Sequence, residues 1–274
     1  MVFLTRVVKL VFDLPLFLYG LFPALLLPLL TWIVSLLKGD VSIVDSLWSI
    51  VFLALGITWF TGYEFTTSRS ILVLALLGFW ALRLSAYITW RNWGEGEDPR
   101  YQAMRRKFSP HFSIKSLFIV FLLQGTLAWI IALPLLAAIT GSRPPNLLDG
   151  LAASLVIFGV LFESIADAQL AAFRSRPANK GRVMDKGLWR YTRHPNYFGE
   201  CCVWWGFYLF AVAAGGWWSL LSPVLMTFLL LRVSGVTLLE KDIVERRPGY
   251  RNYVERTNAF IPGIPRDTAS AVTQ

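Results

Sequence analysis

Seven stretches of this 274-residue chain are long and apolar enough to cross a lipid bilayer as helices. A spanning helix needs about 20 consecutive, mostly apolar residues. Only 16% of the chain is charged, whereas soluble domains carry roughly a quarter of charged residues. We therefore predict an all-α integral membrane protein, built as a bundle of seven transmembrane helices. The predicted spans are 14–37, 42–60, 71–89, 117–139, 148–173, 197–214 and 217–239.

The loops between these stretches differ in length and charge, which predicts the orientation of the bundle. Segments 91–115, 174–195 and the part from Glu240 onward are long and basic, whereas the other connections are short. Basic loops stay on the cytoplasmic side, so we expect a cytoplasmic C-terminus and an N-terminus on the opposite side. Arg6 and Lys9 argue against this orientation, and an interfacial element at the start is the alternative.

The net charge of +9 does not indicate nucleic-acid binding, because the basic residues lie in short segments between apolar runs. We also expect no metal site, since the chain has two histidines, His111 and His194, in no metal-binding spacing. The adjacent Cys201 and Cys202 cannot form an ordinary disulfide with each other. We expect a single membrane domain over 1–266, a disordered tail over 267–274, and a monomer.

The densest group of polar residues lies where a basic loop enters the sixth predicted span, at 187–200. Pro195 suits the first turn of a helix, which places Asn196 and Glu200 one above the other on the same face. A carboxylate inside a membrane helix is costly unless it meets a partner or a water-filled cavity. This pattern fits a binding site for an anionic ligand, or alternatively a basic membrane anchor in which Glu200 pairs with a neighbouring arginine.

A second acidic pair lies near the cytoplasmic end of the fifth predicted span. Glu163 and Asp167 are one helical turn apart and are followed by Arg174 and Arg182. Carboxylates in this arrangement can accept hydrogen bonds from ribose hydroxyls, and arginines can bind phosphates. The alternative is that these charged side chains only reach for water at a helix end.

Two further features carry polar residues. The loop 91–101 is rich in glycine and mixed in charge, which indicates a loop that packs on something. Asp45 and Arg83 lie inside the second and third predicted spans. Ionisable residues in spans usually face a cavity or a partner, so these two residues either line a substrate cavity or pair with each other.

The run Arg193-His-Pro-Asn-Tyr-Phe-Gly-Glu200, with Tyr250, Tyr253 and Phe260-Ile-Pro262 downstream, resembles the steroid 5α-reductase superfamily. It is most similar to the bacterial members of the DUF1295 type, and related proteins include the sterol C14 and C7 reductases and the isoprenylcysteine carboxyl methyltransferases. The resemblance extends from about residue 45 to 262.

This resemblance implies one of two enzyme activities. The first is an NADPH-dependent reductase that transfers hydride to the activated C=C bond of an enone in a steroid or other lipid. The second is a methyltransferase that uses S-adenosylmethionine on a lipid or isoprenyl substrate. Asn196 and Glu200 favour the reductase, because the methyltransferases commonly lack both residue types. A non-catalytic membrane scaffold or carrier, whose basic loops bind anionic lipid, is a third alternative.

The resemblance also implies the residues of the site, with the cofactor held mainly by the C-terminal half, 148–262. The implied catalytic residues are Asp45, Tyr87, Asn196 and Glu200. The implied NADPH-binding residues are Glu163, Asp167, Arg174, Arg182, Tyr191, Arg193, His194, Asn196, Tyr197, Glu200, Arg91, Arg100, Tyr101, Glu240, Tyr250 and Tyr253. The implied substrate-binding residues are Asp45, Trp48 and Arg83.

In the steroid enzymes a Glu of the second span and a Tyr of the third polarise the substrate carbonyl. This chain has Asp45 near the first of these positions, and we expect a protonated Asp45, or else Tyr87, to donate the hydrogen bond. The substrate would be an apolar steroid, fatty enone or isoprenoid that enters from the surrounding lipid. The expected location is a bacterial inner membrane, or the endoplasmic reticulum membrane if the source is eukaryotic.

Overall fold

The computed structural model describes residues 12–233 and 249–266, and every regular element in these ranges is a helix. The α-helices are α1 (Leu14–Tyr19), α2 (Leu21–Lys38), α3 (Ile43–Gly62), α4 (Ser68–Asn92), α5 (Pro99–Lys107), α6 (Phe112–Ser116), α7 (Leu123–Ile131), α8 (Leu133–Thr140), α9 (Leu147–Arg174), α10 (Pro195–Ala214), α11 (Leu221–Phe228) and α12 (Tyr250–Arg256). Two π-helical stretches, Leu117–Leu122 and Leu229–Val233, and three 3₁₀ turns, Pro177–Asn179, Gly187–Arg190 and Trp217–Leu220, complete the set.

Six helical segments are long and apolar enough to cross a membrane, which confirms a multi-pass membrane protein. They are Leu14–Lys38, Ile43–Gly62, Ser68–Asn92, Phe112–Thr140, Leu147–Arg174 and Pro195–Ala214. The seventh predicted span, 217–239, is described only as far as Trp217–Val233, a shorter apolar helix. Its remainder, the N-terminal basic residues and the tail after 266 lie outside the described residues. The count of seven and the orientation therefore stay predictions.

Glycine and proline set the ends of several helices. α2 ends at Gly39, which adopts a left-handed conformation with a φ of +66°, a conformation that costs glycine little. The Asp40 carboxylate then accepts a hydrogen bond from the Ser42 N–H, and α3 begins one residue later. The connection between α2 and α3 is therefore only four residues long.

The fourth spanning segment is not one continuous α-helix. The helix of the fourth span is interrupted at Ala132, between α7 and α8, two residues before Pro134, because proline has no N–H to continue the helical ladder. At Gly125 a side chain would collide with the Ala24 carbonyl of α2. The absence of a side chain at Gly125 thus lets two spans lie in direct backbone contact.

The helices form two compact units, which are described separately. The first contains Met1–Gly150 and Phe207–Ser222, and the second contains Leu151–Gly206 and Pro223–Gln274. The predicted start of the cofactor-binding half, residue 148, lies near the point where α9 passes from the first unit to the second.

The core of the first unit forms where α3 packs on α4. Leu55, Trp59 and Leu77 are fully buried there, and the Phe52 and Trp80 rings meet edge to face at 5.8 Å between centroids. Because lipid is as apolar as these side chains, close van der Waals packing stabilises such a contact between two spans.

Candidate functional site

The polar run that ends at Glu200 forms the first turn and a half of α10 in the second unit. Pro195 occupies the first helical position, as predicted, and Asn196 and Glu200 follow on the same helix. Glu200 is buried, and its Oε1 accepts a hydrogen bond from the Trp204 indole at 3.1 Å. Asn196 is half-buried and forms no side-chain hydrogen bond with another described residue. Its amide is therefore available to a ligand.

Glycines bring α9 and α10 into direct backbone contact beside this run. A Cβ atom on Gly199 would lie 2.7 Å from the Gly159 carbonyl oxygen and 2.8 Å from both the Cβ and the N of Glu163. A Cβ on Gly206 would lie 2.5 Å from a methyl group of Val156. Only glycine fits at such approaches. The buried Glu163 consequently lies against the backbone next to Glu200.

The 3₁₀ turn at Gly187–Arg190 attaches the loop before α10 to the end of α9. Gly187 has a φ of +59°, and a side chain on it would collide with the Gln169 amide. That amide oxygen accepts a hydrogen bond from the Leu188 N–H at 2.9 Å, and the Trp189 indole donates to the Ala166 carbonyl at 3.0 Å. These bonds hold the loop over the turn of α9 that carries Asp167, which is buried.

The same loop is fastened to the segment that follows α12. The Arg193 Nη1 donates to the carbonyls of Thr257 at 2.5 Å and Val254 at 3.2 Å. The Thr192 hydroxyl donates to the Phe260 carbonyl at 2.8 Å, and the Arg193 N–H donates to the Asn258 carbonyl at 2.9 Å. Arg193 thus has a clear architectural part, and its predicted contact with cofactor stays a prediction.

Two tyrosines of α12 are buried under this loop. The Tyr253 hydroxyl donates to the Trp189 carbonyl, and the rings of Tyr250 and Tyr253 meet edge to face at 5.5 Å. His194 is also buried, and its ring stacks on Tyr197 at 5.6 Å between centroids. The structure therefore gathers most of the predicted C-terminal site residues around one loop.

The other predicted cofactor residues of this unit are more exposed. Arg174 is the last residue of α9, Arg182 follows the next 3₁₀ turn, and Tyr191 precedes α10; all three are exposed. Glu240 lies outside the described residues. Exposed cations near buried acids are a suitable donor set for the phosphates of a dinucleotide.

In the first unit, the Asp45 side chain contacts two residues of α5. Its carboxylate forms an ion pair with Arg100 at 2.7 Å and accepts a hydrogen bond from the Tyr101 hydroxyl at 2.6 Å. Asp45 is in the first turn of α3, and Arg100 and Tyr101 are in the first turn of α5. These two contacts give Asp45 a structural part in holding α5 on α3, and its predicted hydrogen bond to substrate stays a prediction. Asp45 pairs with Arg100, whereas the sequence suggested Arg83 as its alternative partner.

The predicted loop 91–101 does pack on the start of α3, through the Asp98 main chain and the Glu97 side chain. The Ser42 hydroxyl accepts from the Asp98 N–H at 2.7 Å, and Glu97 accepts from the Val41 N–H at 3.0 Å and from Arg105 at 2.7 Å. Burial disfavours the charged form of Glu97, but the hydrogen bonds from Arg105 and Val41 outweigh it and lower the pKa of Glu97. Burial and the Asp45 carboxylate both raise the pKa of Tyr101. Tyr101 therefore keeps its proton at neutral pH.

The remaining predicted residues of this unit lie on α3 and α4. Trp48 meets Phe52 edge to face at 5.1 Å, and the Arg91 guanidinium lies 5.9 Å from the centroid of the Tyr87 ring. Arg83 is half-buried in the middle of α4. Their predicted contacts with substrate and cofactor stay predictions.

Sequence reasoning missed one buried ion pair in the first unit. The Arg69 guanidinium, which is 1% exposed, makes two bonds to the Asp149 carboxylate at 2.6 and 2.9 Å and also donates to the carbonyls of Arg143 and Pro144. The two charged residues are 80 positions apart, at the ends of different spans. No local pattern could have paired them, although an arginine at the start of an apolar run was a usable signal.

Comparison with known proteins gives two matches. Residues 31–257 match a family described as "Protein of unknown function (DUF1295)". The "Uncharacterized protein C594.04c" of Schizosaccharomyces pombe is 28% identical in an alignment that covers 90% of this chain and 80% of that protein. No solved structure matches.

Proposed function

Because this chain belongs to the DUF1295 family, which is part of the steroid 5α-reductase-like superfamily, we propose that it is an NADPH-dependent membrane reductase. In this proposal it reduces the activated C=C bond of an apolar enone, in a steroid or another lipid. Membership in the superfamily supports a membrane enzyme. The choice of a reductase follows from the polar residues of the second unit.

The observation that carries the proposal is the glycine contact between α9 and α10. It sets Glu163, and one turn further Asp167, beside the run that contains Asn196 and Glu200. Buried carboxylates are costly and occur where they have partners or a function. Three of them on two touching helices, next to a basic loop, suit a ligand that carries both hydroxyl groups and phosphates.

The residues present fit NADPH by their chemistry. Glu163 and Asp167 would accept hydrogen bonds from ribose hydroxyls, and Arg174 and Arg182 would bind phosphates. Bound NADPH would supply the hydride, so the protein needs only to hold and orient its ligands. Asn196 would fix the nicotinamide end by its free amide. The apolar spans would exclude water from the site.

On the substrate side, the ion pair of Asp45 changes the expected donor. Since Asp45 is an acceptor for Arg100 and Tyr101, the alternative named from the sequence, Tyr87, becomes our candidate for a hydrogen bond to the substrate carbonyl. Asp45 would instead hold α5 and its loop in place.

The proposal is tested by titrating purified protein in detergent with NADPH and, separately, with S-adenosylmethionine. We expect binding of NADPH and none of S-adenosylmethionine. Asn196→Ala and Glu200→Gln should each weaken NADPH binding by roughly 10-fold to 100-fold, the effect of one lost polar contact that involves a charged group. Glu255→Gln is a matched control, because Glu255 is an exposed acid on α12 of the same unit.

Binding of S-adenosylmethionine without NADPH would replace the reductase by the methyltransferase alternative. Unchanged NADPH affinity in both site variants would show that the residues are assigned wrongly even if the activity is right.

A further inference from the structure

A basic cleft of about 380 Å³ opens on the second unit, lined in part by the loop that carries Trp189. Its charged lining residues are Lys186, Arg190, Arg256 and Arg266, with Asp185 as the single acid. None of these five residues is among the implied NADPH-binding residues, although Arg190 lies in the run 187–200 whose pattern fits an anionic ligand.

Among the described residues, carboxylates balance only part of the charge of this cleft. Asp185 is already engaged by Arg256, at 2.6 Å. Within residues 12–233 and 249–266, no ion pair joins Lys186, Arg190 or Arg266 to a carboxylate. Cations held close together repel one another, and an anion between them removes that repulsion.

Backbone bonds hold the walls of the cleft in place. The Thr257 hydroxyl donates to the Arg190 carbonyl at 3.4 Å, and the Arg266 N–H donates to the Arg256 carbonyl at 2.9 Å. The Gly263 N–H donates to the Tyr191 carbonyl at 3.0 Å. The cations thus project from two chain segments whose spacing is fixed before any ligand arrives, and this lowers the entropic cost of binding.

Two exposed isoleucines precede the lining residues Pro265 and Arg266 in the chain. Ile261 and Ile264 lie on the wall segment and are 68% and 90% exposed. On the other wall, Arg190 is only five residues before Pro195, where the apolar helix α10 begins. Exposed isoleucines beside basic residues at the end of a membrane helix are typical of a surface that meets lipid headgroups.

From this geometry we infer that the cleft binds the phosphate of an anionic phospholipid headgroup, while Ile261 and Ile264 enter the outer part of the bilayer. The occupied cleft fastens the segment 257–266 to the membrane surface. This inference goes beyond the proposed reductase activity and does not depend on it.

The test measures binding of a short-chain lipid to the purified full chain in uncharged detergent by calorimetry. Dihexanoyl phosphatidylglycerol is the anionic probe and dihexanoyl phosphatidylcholine the zwitterionic one. We expect only the first to bind. The double variant Lys186→Gln, Arg190→Gln should bind it about 30-fold more weakly, since each basic residue near an anionic surface contributes roughly fivefold.

The control is the double variant Arg176→Gln, Lys180→Gln, which removes the same charge from exposed residues of the neighbouring loop that do not line the cleft. This control variant should bind dihexanoyl phosphatidylglycerol as tightly as the unmodified protein does. Both double variants should have the melting temperature of the unmodified protein. Equal binding of the two lipids, or equal loss in both double variants, would overturn the inference. A third result would also overturn it: the protein binds adenosine 2′,5′-bisphosphate but not the anionic lipid, and the Lys186→Gln, Arg190→Gln change weakens that binding. The cleft would then serve a soluble nucleotide.

Discussion

Replacing Gly159 by alanine should push apart the two helices that carry the candidate site. The new Cβ would lie 2.6 Å from the Gly199 carbonyl oxygen and 2.8 Å from the Val203 nitrogen, and both of these are backbone atoms. Ordinary contacts of this kind begin at 3.4 Å, so the backbone of α10 must retreat by about 0.8 Å. Backbone atoms in a helix cannot turn aside as a long side chain can. The whole contact must therefore adjust.

Overpacking of this kind costs about 1–3 kcal/mol. Gly150→Ala is the matched control, because Gly150 is on the same helix and a Cβ there meets nothing within 4 Å. Alanine favours a helix over glycine by about 1 kcal/mol at either position, and this gain cancels in the comparison. The melting temperature of Gly159→Ala in detergent should consequently lie about 3–9 °C below that of Gly150→Ala, at roughly 3 °C for each kcal/mol.

The same displacement should reduce NADPH binding, because Glu163 moves relative to the run at 195–200. Equal melting temperatures for the two variants would refute the close packing of α9 on α10. A lower melting temperature with unchanged NADPH affinity would keep the packing and refute its link to the cofactor site.

Three further predictions concern contacts away from that crossing. Arg69→Met leaves the buried Asp149 carboxylate without its charge partner and should lower the free energy of unfolding by about 3–5 kcal/mol. Adding Asp149→Leu should restore much of the yield of monodisperse protein that the single variant loses. A single variant as stable as the parent would contradict this. The lowered pKa of Glu97 means that its pairing with Arg105 stabilises the protein at neutral pH and that this stability is lost as the pH falls through the folded pKa. The melting temperature should accordingly fall less between about pH 5 and pH 3 in Glu97→Gln, and an identical fall would show that Glu97 is not responsible. Tyr253→Phe removes one buried hydrogen bond and should lower the free energy of unfolding by about 1 kcal/mol, measured as a lower melting temperature. An unchanged melting temperature would show that this hydrogen bond does not stabilise the protein.

Composition and local signals predicted the membrane class and many helix ends. The scarcity of charge and the apolar runs indicated the spans, since lipid admits few other structures. Proline at 195 and 134 and glycine at 39 mark a helix start, a break and a helix end, because each restricts or frees the backbone in a local way. These features need no knowledge of the rest of the chain.

The contacts that shape the site could not be predicted in this way. Asp45 and Arg100 are 55 residues apart, and the sequence around either residue does not indicate that they form an ion pair. Arg193 and Thr192 donate to main-chain carbonyls 61 to 68 residues downstream, and every residue carries such a carbonyl. The identity of the acceptor therefore leaves no trace in the sequence. The glycine contact at 159 and 199 has a signal, since both are glycines, but their partnership required the structure.

The fastening of the loop before α10 to residues 254–260 has a consequence for the order of events during synthesis. The Arg193 and Thr192 side chains can emerge from the ribosome and reach the membrane while their acceptors have not yet been translated. Until residues 254–260 follow, the buried guanidinium has no carbonyls from that segment to receive its hydrogen bonds. A nascent chain that stops before them would still carry all six apolar helices, yet its basic loop would lack the hydrogen bonds to residues 254–260 that hold it in place. Insertion and completion of the site would thus be separate steps, and the second would wait for the last described stretch of the chain.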